Sequence, residues 1–174
     1  MPRHRVEGIA NEFLRLANAE GRSLTNMQLQ KLPYIAHGWG LALTGRELVD
    51  ESPVAFPYGP VYRRLYNALQ RYGSGNVTDF IRDNDGTAAE AFGAPRGSVI
   101  SCQLEPEETR LIQAVWDAYK KYHAFQLSNM THQDDSPWTI TTRESGPYSR
   151  ISNDLIRRHY EALAAARRQA VAQL

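Results

Sequence analysis

The stretch "LTNMQLQKLPYIAHGWGLALTG", residues 24 to 45, constrains the fold more than any other part of the chain. Apolar side chains recur at Met27, Leu29, Leu32, Ile35, Ala36, Trp39 and Leu43, which places them on one wide helical face. Thr25 and Gln28 stand in capping-box relation, hydroxyl to the backbone three residues on and amide back again, and so mark where the helix starts. Gly45 is its natural stop. The pattern predicts a central core helix. Pro33 lies well inside it, cannot donate to the Leu29 carbonyl and costs roughly 3 kcal/mol in a straight helix, so a kink is expected there.

The rest of the chain has the means to cover such a helix. Its 174 residues are 42% hydrophobic and 22% charged, enough for one domain with a packed core and too apolar for disorder. Apolar spacing predicts a helix over Val6–Ala17, ended by Gly21. Glu47–Asp50 and Pro53–Phe56 read as a small β-ribbon around an Asp-Glu-Ser turn. Pro57, Gly59 and Pro60 then form a stiff elbow that ends helix and sheet alike, and Pro60 suits the first turn of a helix Val61–Tyr72 that buries Val61, Leu65, Ala68, Leu69 and Tyr72. Residues 74–97 read as an irregular connection with room for one short helix, followed by a brief strand at Ser98–Gln103. Pro106 opens a strong helix with Leu111, Ile112, Val115, Trp116 and Tyr119 on its core face. A shorter helix covers Ala124–Thr131, a loop "HQDDSPWTITTRESGPYS" follows, and the last helix runs from Ile151 to about Ala170 on Ile151, Leu155, Ile156, Tyr160 and Leu163. The expected class is mainly α (α+β): a compact domain of five to seven helices with one small β-ribbon and no internal domain boundary.

Function classes narrow quickly. The net charge of +1 provides no global field for nucleic acid. The lone Cys102 excludes an internal disulfide framework and reads as a small packed residue. No apolar run reaches the ~20 residues of a membrane span, and MPRHRVEG lacks the apolar stretch of a signal peptide, so a cytoplasmic protein with no membrane partner is expected. His132, Asp134, Asp135 and Ser136 could furnish a nucleophile and base or two metal ligands, yet no nucleophile elbow, phosphate loop, dinucleotide fingerprint or HExxH accompanies them. They read as hydrogen-bonding groups that order the loop before Pro137–Trp138. No enzyme activity, metal or cofactor is expected. Arg63, Arg64 and Arg71, with Tyr62, Tyr66 and Tyr72, could meet nucleic acid, and helices followed by a ribbon resemble a winged helix. Against acidic neighbours Glu47, Asp50 and Glu51 they read as a solvated helix face, as do Arg157 and Arg158.

Several motifs occur together in order. Leu24–Asn26 gives a Leu-Thr-Asn start, Leu29–Tyr34 a Leu-Gln-Lys-Leu-x-Tyr core, Thr44–Gly45 a Thr-Gly turn, and Phe56–Val61 an aromatic-x-Tyr-Gly-Pro-Val elbow. Thr131–His132, Pro137–Trp138 and the Ile-rich start of the last helix at Ile151–Ile156 continue the series. This pattern resembles the Panacea domain family of SocA-like antitoxins, which includes phage-associated proteins. It runs from about Val6 to Leu163, with 74–103 outside it. The resemblance implies an antitoxin that neutralises a cognate toxin encoded nearby, by direct contact and without enzyme chemistry, either by occluding it or by holding it for a protease or chaperone. It implies that Tyr58, Gly59, Pro60, Val61, Thr131, His132, Pro137 and Trp138 are scaffold. Pro33 departs from the apolar residue usual at its position. Lys31, Tyr34, Tyr62 and Arg63, the polar or amphipathic members of the motif helices, are expected to border the working surface. The alternative is a DNA-binding transcriptional regulator using the ribbon and the Arg63/Arg64 helix.

Overall fold

The structure is a computed structural model that describes residues 3–174. Its axis is α2 (Asn26–Thr44), capped by Thr25 and Gln28 as the sequence predicts and closed by Gly45 in the left-handed conformation. Thirteen consecutive residues, Leu29 to Leu41, are buried, polar and apolar alike. A helix covered on every side needs no amphipathic stripe, and only its ends emerge: Met27 is half-buried and Leu43 is exposed. Pro33 does not interrupt it. The lost backbone bond is outweighed by the packing of Pro33 and its neighbours on all sides.

Around α2 stand α1 (Val6–Ala19), α5 (Pro106–Tyr119), α6 (Ala124–Thr131) and α8 (Asn153–Ala172). The contact with α8 is the most extensive, and Gly38 makes it close: a Cβ at that position would lie 2.2 Å from the Tyr160 ring. Buried His37 ties a further segment to the axis. Its Nδ1 accepts from the Leu48 and Val49 N–H groups, leaving Nε2–H to donate to Asn153 at 2.9 Å, and burial lowers its pKa so that the neutral ring persists.

That segment is not half of a ribbon. Around Glu47–Asp50 the chain forms an isolated parallel bridge with His4, and the ribbon lies one turn later, between β1 (Val54–Phe56) and β2 (Gly59–Val61). Phe56 pairs with Gly59, so Pro57 and Tyr58 are the whole tip. Pro60 is therefore a strand residue rather than a helix starter. It faces Ala55, whose N–H and C=O bond away from the ribbon to Ser149 and Tyr148, so the missing N–H of proline is never called upon. The next helix, α3 (Arg63–Leu69), starts two residues later than expected and tightens into a 3₁₀ turn at Gln70–Tyr72.

The connection at 74–103 holds one short helix, α4 (Ala88–Ala91), and the expected strand at Ser98–Gln103 reduces to an isolated bridge between Arg82 and Val99. Side chains fix it. Asn11 donates to the Ile81 and Ile100 carbonyls and accepts from the Ile81 N–H, while buried Asp85 meets Arg71 and Arg96. The loop after α6 contains α7 (Pro137–Ser145), with Pro137 in its first turn and Ser136 accepting from the Thr139 N–H. With α4 and α7 the described residues form eight α-helices and one small antiparallel ribbon, a mainly helical α+β fold. Among them no helix is long and apolar enough to cross a membrane.

Candidate partner-binding surface

The ribbon is held by three side chains from three helices, each on an alternate carbonyl. Trp138 Nε1 of α7 donates to Phe56 O at 2.7 Å, Ser128 Oγ of α6 to Tyr58 O at 3.1 Å, and Lys31 Nζ of α2 to Pro60 O at 3.0 Å. Gly59 makes the arrangement possible. Its φ of 117° suits glycine alone, and a Cβ there would meet Lys31 Nζ at 2.6 Å and Thr131 Oγ1 at 2.9 Å. Below it, Thr131 Oγ1 and His132 Nδ1 both donate to the Ser128 carbonyl, at 2.7 and 2.6 Å, and the His132 ring lies 4.0 Å from that of Trp138. Pro137 and Val61 are buried beside this junction, while Trp138 is half-buried and Tyr58 is 73% exposed at the tip.

Lys31 is thus interior. It has no carboxylate within ion-pair distance among the described residues, and desolvation lowers its pKa to about 7. Tyr34 and Tyr62 are interior as well, Tyr62 completely so and with its hydroxyl unpartnered. The sequence-based expectation that Lys31, Tyr34 and Tyr62 border an open surface is corrected accordingly: each sends a long apolar stem inward and its polar tip follows. Arg63 alone of the four is exposed. Its guanidinium lies 5.4 Å over the Phe56 ring, against which Tyr66 and Tyr148 also pack edge-on at 5.0 and 5.2 Å.

This cluster faces solvent. Tyr66 is 37% and Tyr148 54% exposed, and Arg150, bridged to Val54, lies on the same side of the pleat as Phe56. Tyr148 has a positive φ of 63°, a conformation that costs a bulky residue about 1–2 kcal/mol, and it keeps that conformation by donating its N–H to Ala55 O. Arg63 and Arg150 have no carboxylate partner among the described residues. The other arginines of α3 differ. Arg64 is engaged by Asp50 and Glu51, and Arg71 by Asp85 and Glu90. They are paired within the chain rather than merely solvated. Sequence reasoning missed Phe56 and Tyr148 as a pair; the available signal was an aromatic following Gly146-Pro147 in a polar loop.

The scaffold beneath the ribbon is where the motif residues of α2, the elbow, α6 and α7 meet, and the comparison with known families falls on the same span. The profile described as "Antitoxin SocA-like, Panacea domain" matches residues 29–139. The chain belongs to that family. A curated relative of this SocA-like protein is Antitoxin SocA of Caulobacter vibrioides, 26% identical over 141 residues, which is 81% of this chain and 72% of the relative. No solved structure matches. The SocA-like match begins at Leu29, where α2 becomes fully buried, and ends at Thr139, one residue past the Trp138 that anchors Phe56.

Proposed function

We propose that this SocA-like protein is the antitoxin of a toxin–antitoxin pair and neutralises a protein toxin by direct contact, catalysing no reaction itself. One observation carries the reading: the family's motif residues converge on a rigid support for a ribbon whose Phe56 gathers Arg63 and Tyr66 of α3 and Tyr148 into a cluster facing solvent. Tyrosine and arginine on a preorganised surface are the composition of interface hot spots: tyrosine buries much area for little lost rotamer freedom, and the stacking of Arg63 on Phe56 already restrains its longer side chain. Two arginines without a carboxylate partner among the described residues favour an acidic toxin face. Whether the toxin is occluded or held for a protease or chaperone, the same contact serves, and the action is cytoplasmic. The regulator alternative loses support because Arg64 and Arg71 already have carboxylate partners.

The test is co-expression with the product of the adjacent gene. The wild-type chain restores growth and co-purifies with it, while Arg63→Glu combined with Tyr148→Ala abolishes both and leaves the thermal melt unchanged. A neighbour that is harmless when expressed alone overturns the antitoxin reading; full rescue by the double variant overturns the assignment of the surface.

A further inference from the structure

A second feature shares no residue with the Phe56 surface. Between α2, α5, α6 and α8 lies a half-open cavity of about 520 Å³, within the ~300–1,000 Å³ of small-molecule sites. Four tyrosines line it, and three of them are nine-tenths or more buried: Tyr34, Tyr119 and Tyr160. Their hydrogen bonding is unbalanced. The Tyr119 oxygen accepts from Trp39 Nε1 at 3.0 Å and from Arg167 Nη2 at 3.2 Å, which leaves its own O–H without an acceptor. The hydroxyls of Tyr34 and Tyr160 have no hydrogen-bond partner among the described residues. Burial pushes both phenols up, so they remain O–H donors. Arg167, stacked 4.7 Å over Trp39, has no carboxylate within ion-pair distance among the described residues and lines the same cavity. Thr131 and Ser136 donate their hydroxyl protons to the Ser128 and Thr131 carbonyls, and among the described residues neither oxygen accepts from a tyrosine hydroxyl. The lining thus presents phenolic donors and, at its exposed edge, the Arg167 guanidinium, beside the apolar side chains of Met130 and Leu163.

We infer that this cavity binds a small monocarboxylate with an aromatic or branched aliphatic body, its carboxylate received by Arg167 and the tyrosine hydroxyls. A planar carboxylate matches the guanidinium fork. A phosphate dianion would bring a second charge into a site with a single cation, at a desolvation cost that nothing there offsets. Asp135 and His159 also line the cavity. Asp135 is exposed, so solvent screens its carboxylate from a bound anion, and burial lowers the pKa of His159 against the pull of Asp135, so its ring is neutral at pH 8 and supplies no competing cation.

The experiment uses the whole chain at pH 8, with 3-phenylpropionate and 4-methylpentanoate as probes and 3-phenylpropionamide as the uncharged control, followed by calorimetry and by the fluorescence of Trp39 beneath Arg167. The acids bind saturably with Kd in the millimolar range or below, and the amide binds at least about tenfold more weakly. Arg167→Met removes that preference, and Asp135→Asn preserves or strengthens acid binding. Equal binding of acid and amide to the wild-type chain overturns the inference, as does the absence of saturable acid binding up to about 10 mM. The acid–amide comparison needs no variant to fold, and none of these outcomes bears on growth rescue, so this site and the toxin surface stand or fall separately.

Discussion

At the residue scale, Lys31 has the most to lose from its position. Its amine donates to Pro60 O and is otherwise sheathed by α2, Gly59 and Thr131, so desolvation holds its pKa at about 7 against an ordinary 10.5. Between those values the unfolded chain binds a proton that the folded chain refuses. Stability therefore rises with pH across that window, and below about 7 both states are protonated and the slope vanishes. Other groups limit where the slope can be read. His37 charges in the unfolded chain below its ordinary 6.5, which weakens the fold in acid. Cys102, pushed up to about 12 by burial, and Tyr34, Tyr62 and Tyr160, raised by the same cause, hold protons that the unfolded chain releases above about 9 to 10. Between pH 7 and 9, one proton contributes about 1.4 kcal/mol per pH unit, or about 2 kcal/mol in all. Urea unfolding at the two pH values should show that gain in the wild-type chain and a flat profile in Lys31→Met. Equal slopes in the two proteins would place the wild-type dependence elsewhere.

At the scale of elements, the ribbon tests whether the elbow is structural. Gly59→Val forces a β-branched residue to φ 117° and drives its Cβ into Lys31 Nζ and Thr131 Oγ1. Strain and clash together should cost about 3 kcal/mol or more, whereas Tyr58→Ala at the exposed tip stays within about 0.5 kcal/mol. Thermal melts of the two variants check this, and a Gly59→Val melt equal to that of Tyr58→Ala would contradict it. The same ribbon marks the limit of what sequence reveals about elements. Helices α1, α2, α5, α6 and α8 were legible because their caps and apolar periods are local signals, and the start expected for α5 and both bounds expected for α6 match the structure. Pro60 was not, because a proline at a non-hydrogen-bonded strand position looks the same in sequence as one opening a helix. The start of α7 was hidden in the same way, its Ser-Pro being equally a loop signature. The exposure of Arg63 was legible from its place as a polar member of a motif helix. The Phe56–Tyr148 pairing was not, since it exists only after the chain at 148–151 is laid along β1.

Across the whole molecule, charge separates the two ways in which this family member could meet a partner. A DNA reader that neutralises several phosphates loses affinity with salt at a log–log slope of about −0.9 per contact. Here the net charge is +1, and two of the three arginines on and just after α3 are already neutralised by Asp50, Glu51, Asp85 and Glu90. Moving those side chains to phosphate would strip Asp50, Glu51 and Glu90 of their arginines and leave Asp85 with Arg96 alone, so the duplex would have to offset internal pairs as well as counterions. Arg63 and Arg150 remain, enough for a slope of about −2 at most and for weak binding without sequence preference. A toxin seated on Phe56, Tyr66 and Tyr148 draws its affinity from desolvated aromatic area, which salt hardly screens, and uses the two arginines chiefly to speed and orient the encounter. Raising salt from about 50 to 200 mM should therefore slow toxin association while changing its Kd less than about tenfold. Over the same range the weak signal from promoter duplex should disappear. Anisotropy titrations of labelled duplex and labelled toxin at both salts make the comparison. Sequence-selective DNA binding that outlasts the toxin complex in salt, and is lost on Arg63→Ala, would reverse the order of the two readings, because only a surface built for phosphate would hold its ligand where aromatic anchors had failed.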